Sequence, residues 1–393
     1  MKNTGSIKWS SFLKDVFICS LSAFAGPEAH VGVFLDQLVT KKKYLSEKEL
    51  IELVALSSML PGPSSTQIIV ATGYKTGGPL LGLLTLLVWA LPVLVFMTAL
   101  SFLNQLLDTF NISVDNLRFI GPMAVGFIVV AAYKIGRKVV TDRFTLLLFL
   151  FSATTTYLIR APWVFPVILL IGGGTSVFLS RQKNLWNRVK LDPPWVYLAL
   201  FICFAVGGIF VVTVWDELIA HLFEGFYRFG YLVFGGGQVV VPMMYSELVE
   251  IRQYLTSQEF LTGYGFVQGL PGPMFSFSAY VGGLAAASGG PVYQIIGALV
   301  SGIGIFLPGM FLIYFVYPIW EGLKQIRGIG ISLKGINAAA GGLISIAAFI
   351  LMQQSGFSLE NIIVTALTII LLTAGVIPTP LIVLLALGAG FIF

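Results

Sequence analysis

Long apolar runs separated by short polar loops dominate the chain. A helix needs about 20 apolar residues to cross the hydrocarbon core of a bilayer. Nine runs approach that length: Pro79–Leu103, Arg118–Ile135, Phe144–Ile159, Trp163–Ser180, Trp195–Val214, Pro291–Ile319, Gly335–Met352, Asn361–Val376 and Leu381–Phe393. Each predicts a spanning helix, the third and the last being short. Four further runs are interrupted. Phe17–Val39 breaks at Ala25-Gly26-Pro27, Leu50–Thr72 at Leu60-Pro61-Gly62-Pro63, Phe223–Met244 at Gly235-Gly236-Gly237, and Phe260–Leu284 at Leu270-Pro271-Gly272-Pro273. Proline removes an amide donor and clashes with the preceding turn, so Pro-Gly-Pro ends one helix and lets another begin. Irregular backbone at membrane depth survives only inside protein or beside a water-filled cavity. Each interrupted run therefore predicts either a re-entrant hairpin or a kinked full span.

Composition agrees. Apolar residues make up 57% of the 393 positions and charged residues 10%, against about 25% charged in soluble domains. The formal net charge of +5 sits in short loops, which fits membrane orientation and not nucleic-acid binding. Cys19 and Cys203 lie in apolar surroundings without ligand spacing and read as buried small residues. With two histidines and no Cys/His cluster, neither a metal nor another cofactor is expected. The amino-terminal residues, with Lys2, Lys8 and Lys14, precede no small-residue cleavage pattern and read as retained.

Shifting the chain by 210 positions superposes two halves. Phe24 meets Phe234, Gly26 meets Gly236, Tyr44-Leu45-Ser46 meets Tyr254-Leu255-Thr256, Glu49 meets Glu259, and Leu60–Pro63 meets Leu270–Pro273. After a small insertion Leu91-Pro92 meets Leu307-Pro308. Loop charges change sign between the copies. Asp36–Glu49 carries four lysines against Asp36, Glu47 and Glu49, whereas Ser246–Glu259 carries Arg252 against three glutamates. Lys134–Arg143 is basic, and Gln353–Asn361 has only Glu360. Since Lys/Arg bias sets orientation, one copy is upside down relative to the other. The linker Arg181–Lys190, with four basic residues, reads as cytoplasmic, and the single span Trp195–Val214 inverts the second copy. The expected architecture is an all-α polytopic membrane protein. Residues 1–180 form the first repeat, its amino terminus cytoplasmic, 181–215 the basic linker and inverting helix, and 216–393 the second repeat. Each repeat holds two broken segments and about four spanning helices.

Discontinuous helices in inverted repeats place a substrate site near the midplane. A helix start offers free amides and partial positive charge, so several starts aimed at one point suit an anion. Candidate binding residues are Gly26, Pro27, Pro61, Gly62, Pro63, Ser64, Ser65 and Gln67 in the first copy. In the second they are Gly235, Gly236, Gly237, Gln238, Pro271, Gly272, Pro273 and Ser276. The hydroxyls after Pro63 equally suit N-capping of the new helix. Met274 and Phe275 replace Ser64 and Ser65, which makes the site asymmetric. Gly172-Gly173-Gly174 reads as helix packing. Glu28 and His30, ionisable inside an apolar segment, are candidates for carrying a coupling proton.

These motifs, Phe24-Ala25-Gly26-Pro27-Glu28-Ala29-His30, Leu60–Gln67, Phe234–Gln238 and Gln268–Pro273, resemble the chromate ion transporter family in its long, two-domain form. The likeness covers nearly the whole chain; Ala25 stands where a second glycine is common. It implies a multi-pass protein of a prokaryotic inner membrane that moves chromate outward, with sulfate, another tetrahedral dianion, as a related ligand. The expected function is secondary transport of a small oxyanion. An anion channel on the same scaffold is the alternative. A membrane-embedded enzyme is disfavoured because acidic residues are scattered through loops with no paired carboxylates or histidines. Beyond the anion and the lipid bilayer no partner is implied; a homodimer stays open.

Overall fold

The computed structural model describes residues 8–24, 26–182, 185–186, 189–234 and 237–392. Among them the chain is helical throughout. The first half runs α1 Trp9–Ser22, α2 Pro27–Phe34 (extended by a π-helical turn, Leu35–Lys41), α3 Glu47–Met59 and α4 Ser64–Leu100. It continues with α5 Leu103–Thr109, α6 Ile120–Val139, α7 Arg143–Leu158 and α8 Val164–Phe178. α9, Trp195–Val214, links the halves. The second half runs α10 Leu218–Tyr231, α11 Val241–Tyr245 (again with a π-helical turn, Ser246–Ile251), α12 Ser257–Gln268, α13 Phe277–Ala285 and α14 Pro291–Val316. It ends with α15 Trp320–Leu323, α16 Arg327–Ser355, α17 Leu359–Ala374 and α18 Thr379–Ile392. Five helical stretches, in α4, α6, α9, α14–α15 and α16, are long and apolar enough to cross a membrane. Five shorter apolar helices accompany them. This is a polytopic membrane protein.

The repeat is visible in backbone detail. Ser46 and Thr256 each close a capping box with the glutamate three residues on, Glu49 and Glu259. Each box satisfies two amides at a helix start. Lys43 and Gln253 leave the π-helical turns at φ 55° and 53°. Gly62 and Gly272 carry φ 131° and 99°, a region closed to side chains, which explains glycine between the two prolines. α4 is itself kinked at Gly77 and Gly78 (φ 75°), just before Pro79. Its counterpart is Gly290 (φ 90°), before Pro291. Around Pro92 and beyond it the offset is 216, so α7 and α17 correspond end to end.

Equivalent elements also touch by exchange. The Gly62 amide donates to the Val233 carbonyl (2.9 Å) and the Gly272 amide to the Ala23 carbonyl (2.8 Å). Gly126 of α6 packs on Thr368 of α17, and Gly342 of α16 packs on Ser152 of α7. Each of these contacts thus recurs between the equivalent residues of the two halves. α4 and α14, equivalent helices, lie antiparallel. The Tyr314 hydroxyl bonds the Pro79 carbonyl at one end (2.6 Å) and the Gln294 amide bonds the Ser101 carbonyl at the other (2.8 Å).

Two sequence expectations change. The first broken segment begins at Trp9, not Phe17. Phe12 and Val16 are buried, and the buried Asp15 is satisfied by Gln37 (3.0 Å), Tyr44 (2.7 Å) and Lys42 (3.2 Å), so a polar-looking start still forms a packed helix. Cys203 is exposed, because α9 is apolar all round and buries none of its residues; Cys19 is buried. Two glycines of the Gly172–Gly174 run pack, Gly172 against the Gly335 carbonyl and Ala339 and Gly173 against Ser332 and Ile336, while Gly174 has open space beside it.

Candidate functional site

The four breaks form two joined pairs. The Pro61-Gly62-Pro63 loop lies against the chain at Val233, just before the second glycine motif. The Pro271-Gly272-Pro273 loop lies against Ala23, just before Gly26. Each Pro-Gly-Pro turn is thus hydrogen-bonded to the break of the opposite repeat. Gly235 and Gly236 lie outside the described residues. Gly237 opens a short 3-10 turn through Val240, and Gln238 on it is half-buried.

Trp89 of α4 ties these breaks together. Its ring is fully buried. The indole Nε1 donates to Thr66 Oγ1 (3.1 Å) on the first turn of α4. The Trp89 carbonyl accepts from Ser20 Oγ (2.7 Å) near the end of α1. His30 of α2 packs edge-on against the indole with ring centres 5.6 Å apart, and Phe34 does so at 5.4 Å. A side chain at Gly272 would meet Ser20 and Val93, the latter one turn beyond Trp89. One tryptophan therefore touches α2 and the first turn of α4, and Ser20, which bonds its carbonyl, borders the second Pro-Gly-Pro turn.

The helix starts at this junction are bare. α4 follows Pro63, which cannot cap, and no side chain caps it. Ser64 is half-buried, Ser65 buried, and Thr66 is engaged by Trp89. The hydroxyls do not serve as N-caps, which leaves the first amides of α4 free of side-chain partners. α2 starts after Gly26 (φ 88°) with Pro27 in its first turn and no cap. α13 follows a short 3-10 turn, Met274–Ser276, after Pro273, also uncapped.

Three candidate side chains are buried with a polar atom unpartnered: His30 Nδ1, Gln67 Oε1 and Ser276 Oγ. Gln67 points its Nε2 back to the Pro61 carbonyl (2.7 Å), clasping the Pro-Gly-Pro turn. Burial along Pro61–Val70 repeats position by position along Pro271–Tyr280. Glu28 and His30 separate: His30 is 2% exposed, whereas Glu28 faces outward and pairs with Lys138 of α6 at 3.7 Å.

Polar clusters tie the broken segments to neighbouring helices. In the first repeat Asp15 joins α1 to Gln37 and Lys42. In the second, Arg228 of α10 bonds Glu224 (2.7 Å) and Glu247 (2.7 Å), and Arg252 lies 3.5 Å from Glu247. Glu247 and Arg252 are the counterparts of Gln37 and Lys42, so the clasp is kept while the acid moves to the other helix. Lys75 pairs with Glu49 at 2.5 Å. That bond, with the Ser46 capping contacts, holds the Glu49 carboxyl down at about 2. Sequence reasoning missed Trp89 and Ser20: a lone aromatic or serine in an apolar run reads as core, and Trp89 aligns with Ile305, so the repeat gave no signal.

A chromate transporter family model matches residues 10–177 and again residues 220–391. The chain belongs to the chromate transporter family. Two matched regions in one family member fit the two structural halves, with α9 between them unmatched. A "probable chromate transport protein" of Synechococcus elongatus is 29% identical over 374 residues, 94% of this chain and 92% of that one. A "chromate transport protein" of Pseudomonas aeruginosa is 26% identical over 339 residues, 85% and 78% respectively. The uncharacterized transporter YwrA of Bacillus subtilis is 26% identical over 161 residues, 39% of this chain but 84% of its own length. No solved structure matches.

Proposed function

We propose that this family member is a secondary transporter that carries a small tetrahedral oxyanion, chromate, out of the cell across a prokaryotic inner membrane. The anion is held by the free amides where α2, α4, the Gly237 turn and α13 begin. The carrying observation is the junction at Trp89, with reciprocal bonds from Gly62 to Val233 and from Gly272 to Ala23. It gathers uncapped helix starts of both repeats, and such starts favour anions without a buried cation. Gly26, Pro27, Pro61, Gly62, Pro63, Ser64, Ser65 and Gln67 bind from one half. Gly235, Gly236, Gly237, Gln238, Pro271, Gly272, Pro273 and Ser276 bind from the other. Sulfate, equal in charge and shape, competes for the site.

The repeats are inverted across the membrane. Antiparallel packing of the equivalent helices α4 and α14 supports this, because an axis along the membrane normal relates parallel helices. The charge reversal of matched loops supports it too. The amino-terminal segment, the Lys41–Lys43 loop and the basic linker then face the cytoplasm, and residues 1–180 and 216–393 are the two repeats. A relative matched over roughly one repeat's length agrees with each repeat being a unit. Transport proceeds by alternating access around the fixed junction. Glu28, exposed to water, and His30, buried beside the junction, are the groups that serve proton coupling. The membrane potential, negative inside, by itself drives a dianion outward.

Uptake of labelled chromate into inverted vesicles, with and without a pH gradient, tests this. Saturable uptake that responds to the gradient and loses that response in Glu28→Gln is expected. Uptake indifferent to pH in both proteins removes the proton from the account, and flux that never saturates favours a channel.

A further inference from the structure

The two repeats match in their breaks but not in what covers them. Along α2 and its π-helical turn, Ala29, Gly32, Leu35, Asp36 and Thr40 are exposed. Their counterparts Val239, Pro242, Tyr245 and Ser246 are buried, and Glu250 is half-buried. The second repeat's segment is covered by a lid built from the end of α7, the residues just after it and the last turns of α16. Thr156, Arg160 and Ile350 border the cavity beside Ser246 and Glu250. Arg160 Nη1 reaches the Glu250 carboxylate at 3.0 Å. The corresponding lid residues of the other repeat, by the 216 offset, are Leu372, Val376 and Lys134. Val376 cannot form an ion pair with Thr40. Asp36 instead pairs with Lys41 at 2.6 Å, both side chains 58% exposed, and Lys134 is exposed.

The open face carries an exposed ion pair. Glu28 lies two residues from His30, which packs on Trp89 midway along the spanning part of α4. Glu28 is 86% exposed and its partner Lys138 77%. Lys138 sits in the last turn of α6, beside the basic loop that the charge pattern puts on the cytoplasmic side, so the pair lies toward that side. An exposed ion pair there suits a face of α2 that water reaches from the cytoplasm.

We infer that the structure is one of two states in which the repeats exchange conformations, and that the Arg160–Glu250 ion pair latches the outer side shut in this one. The inference rests on the transport reading and on the orientation taken from loop charge. In the state shown, water reaches α2 from the cytoplasm while the segment Gly237–Glu250 is sealed from outside. In the other state the α16 and α7 ends release that segment. The α6 and α17 ends then close on α2, bringing Lys134 to Asp36 as Ile350 now meets Ser246. A ligand is moved because each half alternately covers one side of the same junction.

Single-cysteine labelling tests the exchange without needing to know the substrate. Cys19 and Cys203 are replaced by serine, and either Gly32→Cys or Ser246→Cys is introduced. A side chain at Gly32 meets nothing within 4 Å, and Ser246→Cys is nearly isosteric. A membrane-impermeant maleimide is applied from each side. Gly32→Cys is expected to label from the cytoplasmic side and Ser246→Cys to label poorly from outside. Adding Arg160→Gln, which removes a partly exposed ion pair, shifts such an equilibrium up to about fivefold. Ser246→Cys labelling from outside then rises while Gly32→Cys labelling from inside falls. Opposed changes at the two sites sustain the exchange. Labelling at Ser246 that rises with Gly32 unchanged means local loosening and overturns it, as does protection of Gly32 from the cytoplasmic reagent. Because no anion is added, a failed chromate assignment leaves this result intact.

Discussion

Replacing Gly62 by alanine is the sharpest perturbation of the junction. Gly62 has φ 131°, and an added Cβ would collide with the Gln67 amide and come 3.3 Å from the Gly309 Cα. Holding an L-residue in such a conformation costs roughly 1–3 kcal/mol. Moving Gln67 also breaks its 2.7 Å bond to the Pro61 carbonyl. A buried acceptor left unpaired costs roughly 1–3 kcal/mol more. The sum is roughly 2–6 kcal/mol, some of which relaxation of the turn returns. Gly26→Ala is the control. Its φ is 88° but nothing lies within 4 Å of the new Cβ, so only the backbone term applies. Gly272→Ala falls between, at φ 99° with Val93 3.1 Å away. Unfolding of the purified protein in mixed micelles by dodecyl sulfate titration ranks the three. The expected order of loss is Gly62, then Gly272, then Gly26. Gly26→Ala as damaging as Gly62→Ala would show that the Gln67 clasp carries no energy and refute the reasoning.

Other consequences rest on single contacts. Trp89→Phe deletes the indole donor to Thr66 while keeping most of the ring, so it should cost about 1 kcal/mol in the same titration and slow chromate flux; unchanged flux would detach Trp89 from the site. Gly172→Ala should weaken the protein by forcing α8 off the Gly335 carbonyl, whereas Gly174→Ala, with open space around it, should be neutral or stabilising by up to about 1 kcal/mol. For pH, the Glu49 carboxyl ordinarily titrates at 4.5 and is held at about 2 by Lys75 and the capping box. A carboxyl lowered by folding stabilises above its unfolded value and loses that contribution as pH falls through the folded one. The stability gap between the wild type and Glu49→Gln should therefore be full above pH 4.5 and shrink toward pH 2; a gap that does not change with pH would contradict the pairing.

Much of the fold is readable in the sequence because membrane helices announce themselves by length and apolarity, and all nine runs fall on helices. The breaks are readable for a related reason: Pro-Gly-Pro and Gly26-Pro27 forbid continuous helix whatever surrounds them. Pairing of the breaks is not readable. The bonds from Gly62 to Val233 and from Gly272 to Ala23 join residues remote in sequence through backbone atoms, which leave no compositional trace. The role of the hydroxyls after Pro63 is also ambiguous in sequence, since capping and ligand binding need the same side chains; the uncapped start of α4 separates the two. Glu28 and His30 look like a pair two residues apart, but a helix turns such neighbours to different faces, one outward to Lys138 and one inward to Trp89. On the proposed exchange, the difference in cover between the repeats belongs to the conformation and leaves no sequence signal.

Binding of labelled chromate to the purified protein by equilibrium dialysis bears most directly on the junction as an oxyanion site. The account predicts saturable binding displaced by sulfate, abolished or greatly weakened in folded Gly62→Ala, and retained in Gly174→Ala. Saturable binding that Gly62→Ala leaves unchanged, or no binding to the folded wild type, would contradict it.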